Sequence, residues 1–369
     1  MNGGRHWMAL EGGGECPPSG ATHTSRFAGI GACVPEGRLS SDELMASTKH
    51  RTHIQLERLT GIRERHIVGE GEDSYTLALG AARDALAHAN CAPEDLDVLI
   101  GSSITRYVGG LRMQLEPPMS LLLKESLGAR GAMSFDLSNA CAGMMTGVFI
   151  LNDLIRQGRI RRGMVVSGEY ISQLGANAAR EIRTMMSKQL ASLTLGDAGA
   201  AAILERAPDG APGIEVAGFT TLSEHSRLCL AFPAKVDRGG SMYTDARTIH
   251  KVAVEDSVPL LREALDQAGL RFDEIDYLIP HQTSARAIRK GMKLLAEGLG
   301  GAPKHVVVTV DELGNTASTT HFLALRKYLS EGRFAEDDRV MLHSLASGLE
   351  VGVVIFKVDR LAARYGHDH

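Results

Sequence analysis

The stretch Met133-Ser134-Phe135-Asp136-Leu137-Ser138-Asn139-Ala140-Cys141-Ala142-Gly143 decides the fold, because an apolar strand breaks there into small residues and then into a helix-like run. That run ends at Gly158-Arg159 and is followed by the apolar strand Met164-Val165-Val166. The same succession recurs downstream in three segments: Val307-Val308-Thr309-Val310-Asp311 with Asn315, a helix ending at Gly332-Arg333, and Val340-Met341-Leu342. The recurrence predicts a repeated strand–helix–strand unit.

A second repeated unit lies N-terminal to each copy of the strand–helix–strand unit. Each copy of this second unit is an amphipathic helix, an acidic linker and a buried apolar strand: residues 81–86, 93–96 and 97–100, then 261–265, 272–275 and 276–279. The copies are offset by roughly 175–180 residues, so each half has the size of a domain. We therefore expect an N-terminal half at 26–207 and a C-terminal half at 208–369, each with a largely parallel sheet, behind a flexible tail at 1–25.

The chemistry-bearing residues follow predicted strand ends in both halves. Cys141 lies at a strand-to-helix turn, His281 follows Ile279-Pro280, and Asn315 lies in a turn that the repeat makes nearly equivalent to that of Cys141. Open α/β sheets place their sites at strand carboxyl ends, so we expect the three residues to converge. A helix N-terminus and a nearby imidazole favour a thiolate, while His and Asn can hold an oxyanion or enolate. This inventory predicts acyl-thioester chemistry with Cys141 as the nucleophile.

Composition excludes several other classes. The net charge is −4 and no run of lysine or arginine occurs, which argues against a nucleic-acid partner. The five cysteines form neither a disulfide framework nor a metal pattern, which fits a reducing cytoplasm. No apolar stretch approaches the ~20 residues that a membrane span needs. We expect no metal and no cofactor, and we assign Cys16, Cys33, Cys91 and Cys229 no chemical role.

A set of short motifs, specific only in combination, resembles the thiolase superfamily and within it the β-ketoacyl-ACP synthase III group. The resemblance runs from about Phe27 to Val358. The motifs are Thr60–Arg65, Asn139–Gly143, Leu195–Ala201, Pro280–Gln282, Gly314–Thr316 and Ser347-Gly348. The resemblance implies a homodimer of five-layered αβαβα subunits with Cys141, His281 and Asn315 as catalytic residues. Its substrates would be acyl thioesters carried by CoA or by an acyl carrier protein. Backbone N–H groups of Cys141 and of Ser347 or Gly348 are candidate oxyanion donors.

Departures from the common pattern narrow this expectation. Gln55 and Leu59 stand where the fatty-acid-initiating enzymes carry a tryptophan and an arginine, and Ser284 replaces an asparagine. These departures look more like the OleA-type enzymes, which join two acyl thioesters head to head without decarboxylation. Leu115-Glu116-Pro117 matches a motif whose glutamate enters the partner subunit's site, so the resemblance implies Glu116 as the base.

Several alternatives remain open at this point. The enzyme could instead use malonyl-ACP with loss of CO2, or act as a stand-alone ketosynthase or acyltransferase of polyketide biosynthesis. A non-catalytic partner of an active ketosynthase is disfavoured, because the chain keeps Cys141, His281 and Asn315. Glu116 could equally be a solvated loop residue. The apolar block at 113–123 could line an acyl tunnel, but such stripes are more often core or dimer interface.

Overall fold

The computed structural model describes residues 22–50, 52–234 and 238–365. Its strands are β1 (Ser25–Cys33), β2 (Arg38–Ser40), β3 (Glu64–His66), β4 (Val98–Gly101), β5 (Met133–Asp136), β6 (Arg162–Glu169), β7 (Ala198–Arg206), β8 (Ile214–Thr221), β9 (Cys229–Pro233), β10 (Gly240–Thr244), β11 (Tyr277–Pro280), β12 (His305–Val306), β13 (Arg339–Ala346) and β14 (Glu350–Lys357). Its helices are α1 (Ser41–Ala46), α2 (Leu56–Thr60), α3 (Ser74–Ala89), α4 (Met119–Leu127), α5 (Gly143–Arg156), α6 (Ser172–Glu181), α7 (Ala246–Ala268), α8 (Ala285–Leu299), α9 (Val310–Leu313) and α10 (Thr320–Ser330).

Two five-stranded sheets form the frame of the molecule. The first has the order β1-β7-β6-β4-β5 and the second the order β8-β14-β13-β11-β12, so each strand has a counterpart in the other sheet. β4 runs parallel to β5 and β6, and β11 runs parallel to β12 and β13, whereas the other sheet neighbours are antiparallel. The expectation of largely parallel sheets is wrong in this respect, because the last strand of each repeat turns back beside its predecessor.

Alternating side chains divide each sheet between two helical layers. Met164 and Val166 of β6 pack under α3 and α4, while Val165 between them faces α5. Met341 of β13 packs against α7, and its neighbours face the shared core that holds α5 and α10. The order of layers is therefore α3/α4, first sheet, α5/α10, second sheet, α7/α8. This confirms the predicted α/β fold of five αβαβα layers built from two repeated halves.

Glycines allow α3 to lie close against the first sheet. A Cβ atom on Gly199 would lie 2.1 Å from the carbonyl oxygen of Leu77, and one on Gly168 would lie 1.9 Å from that of Ser74. No side chain fits at such a distance, so only glycine lets the helix approach the strands. The Gly-rich Leu195–Ala201 motif thus serves packing.

β12, the counterpart of β5 in the second sheet, is shorter than the sequence predicts. A strand was expected over residues 307–311, but β12 ends at Val306 and α9 begins at Val310. The Gln282 side chain explains the difference, because its Oε1 accepts from the backbone N–H groups of Thr309 (2.8 Å) and Val310 (3.2 Å). The Gln282 amide therefore satisfies backbone groups that a neighbouring strand would otherwise pair with, and the chain turns into α9 at this point.

The predicted tail at 1–25 falls largely on residues 1–21, which lie outside the described residues. Its last residue, Ser25, is instead the first residue of β1. The Ser25 hydroxyl is buried and donates to Asn152 Oδ1 at 2.6 Å. The folded part therefore begins before the predicted boundary. In the described ranges, no helix has both the length and the apolar character needed to cross a bilayer.

Candidate active site

The turn that carries Cys141 lies between β5 and α5. Ala140, Cys141 and Ala142 form a single 3₁₀ turn, and α5 begins at Gly143. Ala140 has φ +43°, a left-handed value that is uncommon for a residue with a Cβ atom. The Asn139 amide holds this turn by donating to Thr146 Oγ1 at 2.7 Å and to a carboxylate oxygen of Glu350 at the start of β14. The turn therefore bridges both halves of the chain.

The surroundings of Cys141 are apolar. Its side chain packs in a cluster whose other members are Ile104, Ile171, Leu174, Leu195, Met242 and Ala317. The residue keeps a partly accessible surface, as a nucleophile requires. Protein atoms nevertheless surround the sulfur densely, and burial raises the pKa of the Cys141 thiol to about 12, with smaller contributions from Cys229 and Glu169. Burial therefore opposes the expected thiolate in the free enzyme, because loss of solvent outweighs the backbone hydrogen bond that favours the anion.

His281 directly follows β11, as predicted, and is almost fully buried. Its backbone N–H donates to the His343 carbonyl oxygen at 2.9 Å, which continues the pairing of β11 with β13. Burial, with smaller contributions from His321 and His343, lowers the pKa of the imidazole to about 3, so the ring is neutral near pH 7. Its Nδ1 is buried without a hydrogen-bond partner among the described residues.

Asn315 is fixed through its backbone and one side-chain atom. Its N–H donates to the Thr194 carbonyl at 2.8 Å, and its own carbonyl accepts from the Gly196 N–H at 3.0 Å. Its Oδ1 accepts from the Ala317 N–H at 3.0 Å. Because the oxygen of the amide is engaged, Nδ2 remains as a hydrogen-bond donor. Asn315 is thus held by the loop before β7, in the other half of the chain.

The Cys141, His281 and Asn315 segments meet through shared neighbours. Ala317, two residues after Asn315, and Leu195, which bridges to Asn315, both belong to the apolar cluster around Cys141. The Cys141 turn also packs against β13, whose His343 carbonyl holds the His281 backbone. The candidate oxyanion donors Ser347 and Gly348 lie in the turn that joins β13 to β14, and both of these strands contact the Cys141 turn.

The structure corrects one detail of the repeat. Ala317 has φ +55° and opens a 3₁₀ turn before α10, as Ala140 does before α5. The counterpart of Cys141 is therefore Ser318, whereas Asn315 lies earlier, at a position equivalent to Ser138. The sequence offset was too coarse to separate these positions, because the linkers of the two halves differ in length.

Glu116 lies on the surface of the single chain, in the loop before α4. The start of α4 is fixed by Asp136 at the end of β5, whose carboxylate accepts from the N–H groups of Met119 (3.1 Å) and Ser120 (2.9 Å). The Glu116 loop is thereby held beside β5, which has a neighbour on one side only. The single chain does not bring Glu116 into the cluster around Cys141.

The apolar block at 113–123 divides into two parts. Met119 and Leu123 are core residues between α3, α4 and the first sheet. Met113, Leu115 and Leu121 are exposed, Leu115 to 72%. Within the described chain the block therefore supplies core and surface rather than an acyl tunnel.

Sequence reasoning missed four buried polar residues near the site: Glu169, Ser318, His321 and His343. Glu169 is the last residue of β6, whereas His343 lies in the middle of β13. A charged residue at the carboxyl end of a buried strand was the available signal for Glu169. Cys229 was assigned no role, yet its thiol is close enough to raise the pKa of Cys141, while Cys16 lies outside the described residues.

Comparison with known proteins agrees with this geometry. The family model described as 3-oxoacyl-[acyl-carrier-protein (ACP)] synthase III matches residues 135–224, and the model of its C-terminal part matches residues 265–358. A β-ketoacyl-[acyl-carrier-protein] synthase III from Symbiobacterium thermophilum is 32% identical over 344 residues, which cover 90% of this chain and 97% of that protein.

Solved structures show the same fold. The 3-oxoacyl-[acyl-carrier-protein] synthase III of Aquifex aeolicus superposes with a TM-score of 0.76 at 26% identity, over 90% of this chain and 99% of that one. A glutamate-to-alanine variant of Xanthomonas campestris OleA gives 0.79 at 25% identity, over 92% and 100%. The chain therefore belongs to the β-ketoacyl-ACP synthase III family of thiolase-superfamily condensing enzymes, and it is an acyltransferase that acts on acyl thioesters.

Proposed function

We propose that this enzyme joins two acyl thioesters by a Claisen condensation without decarboxylation, through an acyl-Cys141 intermediate, to give a β-keto thioester. The observation that carries the proposal is the position of Glu116. Its carboxylate is exposed on a loop held beside the free edge of β5, where a second subunit would meet it. A condensation without decarboxylation needs a base that removes an α-proton from the acceptor thioester, and Glu116 would be that base.

In the first half-reaction, the sulfur of Cys141 attacks the donor thioester. A bond forms between Sγ and the acyl carbon, the bond to the CoA or carrier sulfur breaks, and the Cys141 proton ends on the departing thiol. Backbone N–H groups of Cys141 and of Ser347 or Gly348 would bind the tetrahedral oxyanion.

In the second half-reaction, an acceptor thioester becomes the carbon nucleophile. The Glu116 carboxylate takes its α-proton, and the enolate oxygen accepts hydrogen bonds from Asn315 Nδ2 and from the Nε2–H tautomer of His281. The enolate carbon then attacks the acyl-Cys141 carbonyl. The Cys141 sulfur leaves and takes up the proton that Glu116 removed, which restores the thiol and the carboxylate, and the β-keto thioester is formed.

A homodimer would place Glu116 in the partner's site. Among the described strands β5 lies at the edge of its sheet, and such an edge is a template for a second chain. Large apolar side chains are exposed on β5 and beside it, at Met133 (56%), Leu115 (72%), Met113 (47%) and Leu121 (46%). Burying them in a symmetric interface would carry the Glu116 loop towards the other subunit.

A cationic surface beside the site supports delivery of acyl groups by an acyl carrier protein. A cleft of about 530 Å³ lies between α2 and the start of α8, and its walls carry Arg58, Arg286 and Arg289 against two acids, Asp42 and Glu57. Lys290 and Lys293 extend the exposed positive face along α8. Such a face would attract an acidic carrier or the phosphates of CoA.

The second candidate is decarboxylative condensation with malonyl-ACP, which the similarity to β-ketoacyl-ACP synthases III supports. Mass spectrometry of the enzyme incubated with myristoyl-CoA, with and without malonyl-ACP, separates the two. An acyl adduct on Cys141 and a β-keto product from myristoyl-CoA alone would support the proposal. A product that forms only with malonyl-ACP would refute it in favour of the second candidate.

Mixed dimers test whether Glu116 acts across subunits. Glu116→Gln should acylate Cys141 but form no β-keto product, and Cys141→Ala should do neither. When the two variants are co-expressed and the mixed dimer is isolated by two affinity tags, one site combines an intact Cys141 with the partner's intact Glu116. Recovery of up to about half of the wild-type rate would support action across subunits. Absence of activity in the mixed dimer would contradict it.

A further inference from the structure

Glu169 is a fully buried carboxylate at the end of β6 that no step of the mechanism above uses. It accepts five hydrogen bonds. Its Oε1 accepts from the Ile104 N–H (2.9 Å), Ser167 Oγ (3.2 Å) and Ser318 Oγ (2.6 Å). Its Oε2 accepts from the Thr105 N–H (3.0 Å) and Thr105 Oγ1 (2.9 Å). A buried acid with so many donors is a built site rather than an accident of packing.

Apart from the Ser167 hydroxyl of β6 itself, the groups that donate to Glu169 belong to two chain segments near Cys141, the loop after β4 and the 3₁₀ turn that starts at Ala317. Ile104 lies in the loop after β4, and its side chain is part of the apolar cluster that surrounds the cysteine. Ser318 belongs to the 3₁₀ turn that starts at Ala317, and the N–H of Ala317 fixes Asn315 Oδ1. One carboxylate of the first half therefore ties the Asn315 turn of the second half to the segment beside Cys141.

The carboxylate also acts through its charge. Burial raises the pKa of Glu169, and the hydrogen bonds from Ser318, Ile104 and Thr105 oppose that increase. Both oxygens accept from backbone N–H groups, which favours the ionised form. The groups whose hydrogen bonds oppose the increase are all uncharged. The field of the ionised Glu169 disfavours a thiolate at Cys141, in the same direction as burial and the Cys229 thiol.

We propose that Glu169 is a positioning residue of the condensation reaction. Its hydrogen bonds tie the Asn315 turn to the segment beside Cys141, and its negative charge adds to the burial that disfavours a thiolate there. The inference rests on the proposed function only in so far as Cys141 is the nucleophile and Asn315 assists the second half-reaction. It holds equally for a decarboxylative or a non-decarboxylative acceptor.

Glutamine is the informative substitution because it removes the charge at nearly constant volume. No orientation of its amide satisfies the site, since each oxygen of Glu169 accepts from one backbone N–H and the NH2 group would face one of them. The Ile104 or Thr105 N–H therefore loses its acceptor in Glu169→Gln. Aspartate, in contrast, keeps the charge.

The matched control is Glu205→Gln. Glu205 is a largely buried acid at the opposite end of the same pair of strands, where β7 pairs with Arg162 of β6. It is held by Arg26, Arg162 and Arg364. Its replacement removes a buried charge without touching the two segments near Cys141, so it separates a general loss of stability from a local effect.

Two readouts test the proposal in the full-length enzyme. The first is the rate of iodoacetamide alkylation of Cys141 at pH 8, read from the Cys141 peptide by mass spectrometry. Glu169→Gln should alkylate faster than wild type, because a lower thiol pKa increases the thiolate fraction more than it reduces its nucleophilicity. Glu169→Asp and Glu205→Gln should alkylate at the wild-type rate.

The second readout is the rate of condensation relative to single-turnover acylation. Glu169→Gln should lower condensation by about tenfold or more while acylation changes less, because Asn315 serves the second step. Ser318→Ala keeps the charge and removes one hydrogen bond, so it should slow condensation without changing alkylation. Wild-type alkylation in Glu169→Gln, or equal effects of Glu169→Gln and Glu205→Gln on both readouts, would overturn the proposal. If Glu169→Gln does not fold, unchanged condensation in Ser318→Ala overturns it.

Discussion

The imidazole of His321 stacks on that of His281, with ring centroids 5.7 Å apart and ring planes inclined by 28°. One carbonyl oxygen, that of His343, accepts from both the His281 backbone N–H and the His321 ring nitrogen Nε2, each at 2.9 Å. A single atom of β13 therefore positions the His281 backbone and the His321 ring. Protonating either ring would bury a positive charge beside an imidazole, which keeps the candidate catalytic His281 neutral.

This stack predicts an acid-dependent loss of stability that His321→Phe should reduce. Burial lowers the pKa of His321 to about 4, against its ordinary value of 6.5. Between these two values the unfolded chain binds more protons, so stability rises with pH and is lost as pH falls from 6.5 towards 4. One such histidine contributes a slope of up to about 1.4 kcal/mol per pH unit. Urea unfolding of wild type and His321→Phe at several pH values in this window measures the difference in slope.

The comparison uses slopes because His321→Phe also loses the hydrogen bond to His343, at a cost of about 1 kcal/mol that does not depend on pH. His321 in turn lowers the pKa of His281, so the variant should also let His281 protonate at higher pH. Equal slopes in the two proteins would contradict a buried, neutral His321.

Asn315 is expected to act in the second half-reaction only. Its Oδ1 is occupied by the Ala317 N–H, so Nδ2 is the atom left for an enolate oxygen. Asn315→Asp keeps an acceptor for Ala317 but loses the donor, and Asn315→Ala loses both. Both variants should acylate Cys141 in a single turnover and lose about 10²–10³-fold in condensation, as when one oxyanion donor is removed. Rapid-quench mass spectrometry separates the two steps.

The two variants also differ in stability. Asn315→Ala should lose about 1 kcal/mol in the free energy of unfolding relative to Asn315→Asp, because the Ala317 N–H is left unpaired. If acylation fell as much as condensation in both, Asn315 would belong to the first half-reaction instead.

The sequence predicted the features that local patterns determine. Apolar strands alternating with amphipathic helices set the order of elements, and the repeat of these patterns indicated two matching sheets. His281 and Asn315 could be singled out because they follow strand ends in short polar motifs. These features depend on residues a few positions apart, so the sequence alone displays them.

The remainder depends on which distant segments pack together. Glu169 reads as an ordinary strand-end acid until Ser318 and the Ile104 loop are seen to donate to it. The pKa of Cys141 depends on its burial, which no local motif reports. The position of Ser318 as the counterpart of Cys141 likewise required the backbone, because left-handed φ values at Ala140 and Ala317 do not follow from the residue type.

The cationic cleft at α8 predicts that the substrate's carrier is recognised by charge. Arg286 and Arg289 are exposed and line the cleft. Replacing both by glutamate should raise KM for an acyl carrier protein by about tenfold or more at low salt and should weaken the salt dependence of that KM. Acylation by p-nitrophenyl esters, which carry no charged handle, should be unchanged.

The control for charge is Arg159→Glu. Arg159 is exposed just beyond the C-terminal end of α5, about 20 Å along that helix from the Cys141 turn. It should leave KM for the carrier close to the wild-type value. An equal effect of Arg159→Glu and of the double variant would indicate non-specific attraction rather than a docking site.

Gly314 is expected to be indispensable for the geometry of Asn315. It has φ +70°, and a Cβ atom on it would lie 2.8 Å from the Cβ atom of Arg65. Arg65 has no room to give way, because its buried guanidinium donates to the Leu193 carbonyl and to Ser41 Oγ, each at 3.1 Å. The φ of +70° at Gly314 is combined with a ψ of −172°, a backbone region that is essentially restricted to glycine. Gly314→Ala should lose about 1–3 kcal/mol from backbone strain and a further ~1–3 kcal/mol from overpacking, and its condensation rate should fall.

Gly300→Ala is a control for left-handed backbone strain without overpacking. Gly300 lies in the ordinary left-handed region, with φ +75° and ψ 30°, and a Cβ atom there would meet nothing within 4 Å. It should therefore carry only the backbone strain, about 1–2 kcal/mol, and keep full activity because it lies at the far end of α8 from His281. Urea unfolding and condensation assays on both variants measure the difference. If Gly314→Ala were as stable and as active as Gly300→Ala, the contact with Arg65 would not determine the position of Asn315.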